Sequence, residues 1–218
     1  MTLDKLVKNY GPQPECRVIF ILSQMCGSLA EAHGIGLVHR DIKPANVFLT
    51  RRGGLPDFVK VLDFGLVKAR SMDGQLDLTG ANTTLGTPLY MSPEAVEHPD
   101  RVDARADIYS LGAVGYFLVT GWPLFDCATL GEVLMKQVKE LPAKPSERLG
   151  KPVVPDLENL LIRCLAKNPA DRPTSARELA DALAKCSGAA DWTRARAEEW
   201  WIRLAMAQMD KTQVVPAK

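Results

Sequence analysis

The sequence has no apolar run long enough to cross a membrane. Its longest, around Leu111 to Val119, falls well short of the roughly 20 residues a spanning helix needs. Its opening residues do not read as a secretory signal, because Asp4 and Lys5 interrupt them early. It has almost no charge excess: 27 basic against 26 acidic residues give a formal net charge of +1. That balance removes the electrostatic case for nucleic acid or an anionic membrane as the main partner. It has no paired cysteines. Cys16, Cys26, Cys127, Cys164 and Cys186 are odd in number and show no C-x-x-C spacing, which points away from zinc or a redox dithiol. Reduced thiols in a cytoplasmic chain are the simple reading. Internal repeats are absent as well.

What is present suits one ordinary globular domain: 218 residues, 46% hydrophobic and 24% charged. Apolar positions at helical spacing (Val18, Leu22, Met25, Cys26, Leu29) predict a helix over 14–34, ended by Gly34 and Gly36. A polar loop runs from His39 to Asn46. Two short apolar runs, Val47-Phe48-Leu49 and Val59-Lys60-Val61-Leu62, then predict a small hairpin. Residues 65–104 carry Gly, Thr, Pro and Asp with little periodicity, as functional segments do. Residues 105–120 are apolar nearly all round, the pattern of a buried central helix. Thr129-x-x-Glu132 and Ser175-x-x-Glu178 are capping boxes opening two more helices. Another is expected over 156–167, stopped by Asn168-Pro169. Ser187-Gly188 reads as a boundary. Beyond it, Trp192, Trp200, Trp201 and Leu204 mark an amphipathic tail helix over 191–209, with a frayed polar end.

The segment with most chemical content is His39-Arg40-Asp41-Ile42-Lys43-Pro44-Ala45-Asn46. Asp63-Phe64-Gly65 begins 17 residues after Asn46, and Ser92-Pro93-Glu94 follows. Each tripeptide alone is weak. All three in this order, with a strand pair between the first two, resemble the catalytic loop, magnesium motif and end of the activation segment of Ser/Thr protein kinases, in the style of the bacterial enzymes. The resemblance covers residues 1–186. It implies a mainly α fold with a short β-hairpin: the C-terminal lobe of a kinase, without the β-rich N-terminal lobe. Residues 187–218 then form a separate tail.

Phosphoryl transfer moves a highly charged group, and its catalysis is mostly positioning and charge stabilisation. The resemblance implies ATP and magnesium as cofactors and a protein as substrate. It makes Asp41 the carboxylate facing the attacking hydroxyl, and Asn46 and Asp63 the magnesium ligands. It places Lys43 near the transferred phosphate, Thr87 beside the substrate, and Phe48 under the adenine. Asp107 resembles the central-helix aspartate that binds the catalytic loop, and Glu94 and Arg172 an ion pair pinning the activation segment. His39 and Phe64 read as packed residues, His33 and His98 as structural or surface ones. Arg40 stands where it can pair with a phosphate on Thr79, Thr83 or Thr84.

The sequence contains no G-x-G-x-x-G, no V-A-I-K-like strand and no upstream helix glutamate. Met-Thr-Leu-Asp resembles the stretch just after the hinge between the lobes. The expectation is a fragment whose small lobe lies upstream in a longer parent chain. A non-catalytic kinase-like binding module is the alternative reading. A small-molecule phosphotransferase fits less well, because the activation segment runs fully to Ser-Pro-Glu.

Overall fold

The computed structural model describes residues 1–64 and 88–213, with side chains through residue 206. In chain order the elements are α1 (Leu3–Tyr10), α2 (Glu15–Gly34), β1 (Val47–Arg52), β2 (Leu55–Val61), α3 (Pro93–Glu97), α4 (Arg105–Thr120), α5 (Leu130–Lys139), α6 (Pro145–Leu149), α7 (Pro155–Cys164), α8 (Ala176–Ala184) and α9 (Arg194–Gln213). The described residues are therefore mainly helical with one two-stranded antiparallel sheet.

Helix α4 is the hub. Its residues from Ala106 to Tyr116 are buried without interruption, as an all-round apolar helix must be. It lies close against α2 and α7 because two of its positions have no side chain. A Cβ at Gly112 would stand 2.6 Å from Cβ of Cys164, and one at Gly115 would stand 2.5 Å from a methyl of Leu161. Leu22, Leu29, Tyr109, Leu111, Val114, Leu157, Leu161 and Leu183 continue this core.

The hairpin follows the period-2 rule. Val47 pairs with Val61 and Leu49 with Val59, all buried. Phe48 and Lys60 pair on the outer face. Gly53 and Gly54 turn the chain with φ of 55° and 75°, the left-handed region that glycine enters without penalty. A lone hairpin is marginal in water, so this one leans on α2. The Gln24 side chain accepts from Val59 N at 3.1 Å and donates to the Asp57 carbonyl at 2.9 Å.

Differences from the expectation have local causes. α7 stops at Cys164 rather than 167, and past its end the carbonyls of Ala166 and Lys167 accept from Arg172 at 2.8 and 3.0 Å. Both capping serine/threonine hydroxyls bond as expected, Thr129 with Glu132 N and Ser175 with Glu178 N. The Glu178 carboxylate, however, accepts from Thr174 instead of reaching back to Ser175. α1, α3 and α6 were not marked by periodicity; two of them are single five-residue turns. Trp192 precedes α9 rather than lying within it.

Candidate active site

The backbone of the loop between α2 and β1 is held by α4. Asp107, in the first turn of α4, is fully buried. Its carboxylate accepts from the backbone N–H of His39 at 2.8 Å and of Arg40 at 2.9 Å. Nε2 of His33 stands 2.8 Å from the same carboxylate, so His33 is structural. Charged acceptors strengthen such bonds, and they hold Arg40 at a φ of 64°, a conformation L-residues other than Asn and Asp seldom adopt.

His39 fastens the loop to the strand beyond. Its Nδ1 accepts from Asp41 N at 3.2 Å, which leaves the proton on Nε2 to donate to the Leu62 carbonyl at 2.9 Å. Its ring is buried and lies 4.8 Å from that of Phe64. Leu62 N in turn donates to the Asn46 carbonyl at 2.8 Å. The residues leading into Asp63 are thereby tied to the loop that carries Asp41 and Asn46.

Within the loop, Asp41 is the focus. Lys43 Nζ lies 3.0 and 3.2 Å from its two carboxylate oxygens. Asn46 Nδ2 donates to the Asp41 carboxylate and carbonyl, both at 3.0 Å. The Asp41 side chain keeps 26% exposure, enough to be reached by an incoming group. With the Asn46 amide nitrogen committed to Asp41, its oxygen is the atom left for a cation. Asp63 is exposed and sits at a φ of 56°. Two hard oxygen donors on adjoining backbone fit magnesium better than a soft metal. No group of three or more His, Cys, Asp or Glu suited to a metal occurs among the described residues.

From residue 88 onward, the chain is anchored three times. Arg172 NH1 and NH2 meet the two Glu94 oxygens at 2.7 and 2.8 Å. Ser110 Oγ donates to the Tyr90 carbonyl at 2.7 Å. Gln137 Nε2 donates to the Leu89 carbonyl at 2.8 Å while its Oε1 accepts from the Tyr109 hydroxyl. The Glu94–Arg172 contact was expected. Gln137 and Ser110 were not, and an isolated Gln or Ser in a helix carries no signal that would have named them.

A family profile described as "Protein kinase domain" matches residues 1–184. The chain belongs to the Ser/Thr protein kinase family. It is 42% identical over 176 residues to the serine/threonine-protein kinase pkn3 of Myxococcus xanthus, covering 80% of this chain and 32% of that protein. It is 38% identical over 188 residues to PknB of Mycobacterium leprae, covering 86% and 29%. The chain thus spans about a third of the length of these kinases. In fold it is similar to a crystal structure of Rad53 in complex with AMP-PNP, with a TM-score of 0.64 and 24% identity over 83% of this chain and 43% of that one. The bacterial kinase resemblance read from the motifs is therefore correct.

The structure brings Asp41, Lys43 and Asn46 into direct contact and ties them to the approach to Asp63. Phe48 stands apart on the outer face of β1, 38% exposed. Thr87, Gly65, Thr79, Thr83 and Thr84 lie outside the described residues. No helix among those described is long and apolar enough to cross a membrane.

Proposed function

We propose that this chain is the catalytic-loop half of a kinase that transfers phosphate from ATP to Ser or Thr of a protein. The observation that carries the reading is the Asp41 carboxylate, aimed by Lys43 and Asn46 in a loop whose backbone hangs on Asp107. A carboxylate so placed can orient a hydroxyl and take its proton as the phosphoryl group arrives. Lys43 lies beside it, where an ammonium offsets charge on the transferred group. Asn46 and Asp63 would hold magnesium, which would supply positive charge against the phosphates. Phe48, half uncovered on β1, offers an apolar surface for adenine.

The reading includes a missing half. This sequence holds neither a glycine-rich loop nor a lysine strand, the parts that cover the phosphates in kinases. They come from an upstream N-lobe in the longer parent that the partial coverage of relatives suggests. Residues 1–186 form the kinase lobe and 187–218 its tail, in the cytoplasm. The same missing parts favour the second reading, a non-catalytic kinase-like binding module. Calorimetry with Mg–ATP and a radiolabel transfer assay on the purified chain separate the possibilities. Weak binding with slow or no transfer is expected. Micromolar affinity together with ordinary turnover would show that the chain needs no second lobe.

A further inference from the structure

Behind the hairpin, a second charged cluster is buried. Arg17 on α2 and Asp57 on β2 are both fully inaccessible. Their contact is a two-bond fork: Arg17 Nε reaches Asp57 Oδ2 at 2.9 Å and NH2 reaches Oδ1 at 2.8 Å. Buried pairs are costly unless the remaining bonding sites are met. The other Arg17 amine, NH1, donates to Gln13 Oε1 at 2.9 Å. The rest comes from the tail. Trp192 Nε1 donates to Asp57 Oδ2 at 2.9 Å, and Trp201 Nε1 donates to Oδ1 at 2.7 Å. Each carboxylate oxygen thus accepts two bonds, its full capacity. The guanidinium also lies 3.8 Å from the Trp200 ring centre and 4.9 Å from that of Trp192, within cation–π range.

Two features make this a recognition site rather than ordinary core. Asp57 has a φ of 51°, so β2 bends at this residue; its carbonyl is taken by Gln24 while its carboxylate receives the indoles. The tail's other ties to the lobe are an Arg194 NH2 bond to the Gly54 carbonyl at 3.0 Å, Trp200 edge-on to Tyr10, and the buried Ala197 and Leu204. It leaves the lobe through Gly188 at a φ of 79°. Its outer face carries Arg194–Glu198 and Glu199–Arg203 pairs at helical spacing, and Ile202 and Met206 are exposed. A terminal helix held on one face only opens at lower free energy than the body it rests on.

The geometry points to an indole-binding site on the back of the lobe, made by Asp57 and Arg17, whose occupant is this chain's own segment 191–204. Docked, the segment acts as a latch. It fixes Asp57, and through it the strand that runs on to Leu62, whose N–H bonds Asn46, and to Asp63. Released, it frees the hairpin while α4 stays packed. This inference stands on the described contacts and is independent of whether the chain transfers phosphate.

The test is hydrogen exchange on the intact chain, comparing native protein with Trp192→Phe/Trp201→Phe. The phenyl rings keep aromatic bulk and lose both N–H donors, leaving two buried acceptor sites unmet. Amides of 194–204, and those of Val59 and Leu62, should exchange about tenfold faster or more, with α4 amides unchanged. Ile202→Ala, on the outer face, should leave all of them unchanged. Unaltered exchange in the tail would overturn the proposal. So would acceleration of the tail without Val59 and Leu62, or equal acceleration of α4, which would make the indoles part of one cooperative core. If the double variant does not fold, Trp192→Phe alone is read by the same criteria.

Discussion

Cutting the Glu94–Arg172 pin should cost more from the arginine side than from the glutamate side. Arg172 uses all five of its N–H donors: two to Glu94, and one each to the carbonyls of Ala166, Arg105 and Lys167. Its side chain is fully buried, and its guanidinium lies 5.0 Å from the Tyr109 ring centre. Arg172→Met removes every one of these bonds and strands a carboxylate. Breaking a buried pair in this way costs roughly 3–5 kcal/mol, a large share of the 5–15 kcal/mol that holds a typical domain together. Glu94 retains 14% exposure, so water reaches the stranded carboxylate and the lower half of that range applies. Glu94→Gln leaves Arg172 its three carbonyls and one amide oxygen, and should cost about 1–3 kcal/mol. The double variant should lose less than the sum by about 1–3 kcal/mol. Urea melts of the native chain, both single variants and the double variant give all four corners of the cycle. Effects that add to within about 0.5 kcal/mol would mean that the two residues act independently, and the placement of residues 88–97 against α4 would be wrong.

Two further outcomes follow from burial. Desolvation pushes the Cys26 thiol up to about 12 and raises that of Cys164 as well, so both should resist alkylation in the native chain, while the half-buried Cys16 and Cys127 react; mass spectrometry after brief iodoacetamide treatment reads the pattern, and early labelling of Cys26 or Cys164 would contradict it. Lys167, on the Tyr109 and Phe125 rings, has its ammonium lowered to about 8, first by burial and then by Arg172. The unfolded chain then binds that proton more tightly, so stability should rise with pH between about 8 and 10.5. Partial exposure limits the gain to about 1 kcal/mol. Melts of Lys167→Met should lack this rise, and an identical pH profile would refute the assignment.

How much was readable from the sequence depended on the kind of signal. α2 and α4 were legible because long apolar periodicity survives in one sequence. The family was legible because Asp41, Lys43, Asn46 and Asp63 stand at fixed spacing. The Glu94–Arg172 contact, 78 positions apart, came from the family resemblance and could not have come from spacing. α1, α3 and α6 are too short for a period to show. The Arg17–Asp57 cluster was invisible for a different reason. Its members are spread over α2, β2 and the tail, and a carboxylate receiving two indoles leaves no motif. Trp192 and Trp201 read as the apolar face of a helix, whereas their N–H groups are what the fold uses.

The measurement that bears most directly on the central claim concerns Asp41. The chain, joined to the small lobe of a bacterial relative, should move labelled γ-phosphate onto Ser or Thr of a protein substrate. Asp41→Asn is nearly isosteric and keeps a partner for Lys43 and Asn46, so its melting temperature should stay close to the native one. It lacks the carboxylate proposed to accept the hydroxyl proton, a contribution of about 10²–10⁴ in rate. The account predicts turnover reduced by that factor or more with the fold intact. Undiminished turnover in Asp41→Asn would show that this loop does not carry the catalytic carboxylate.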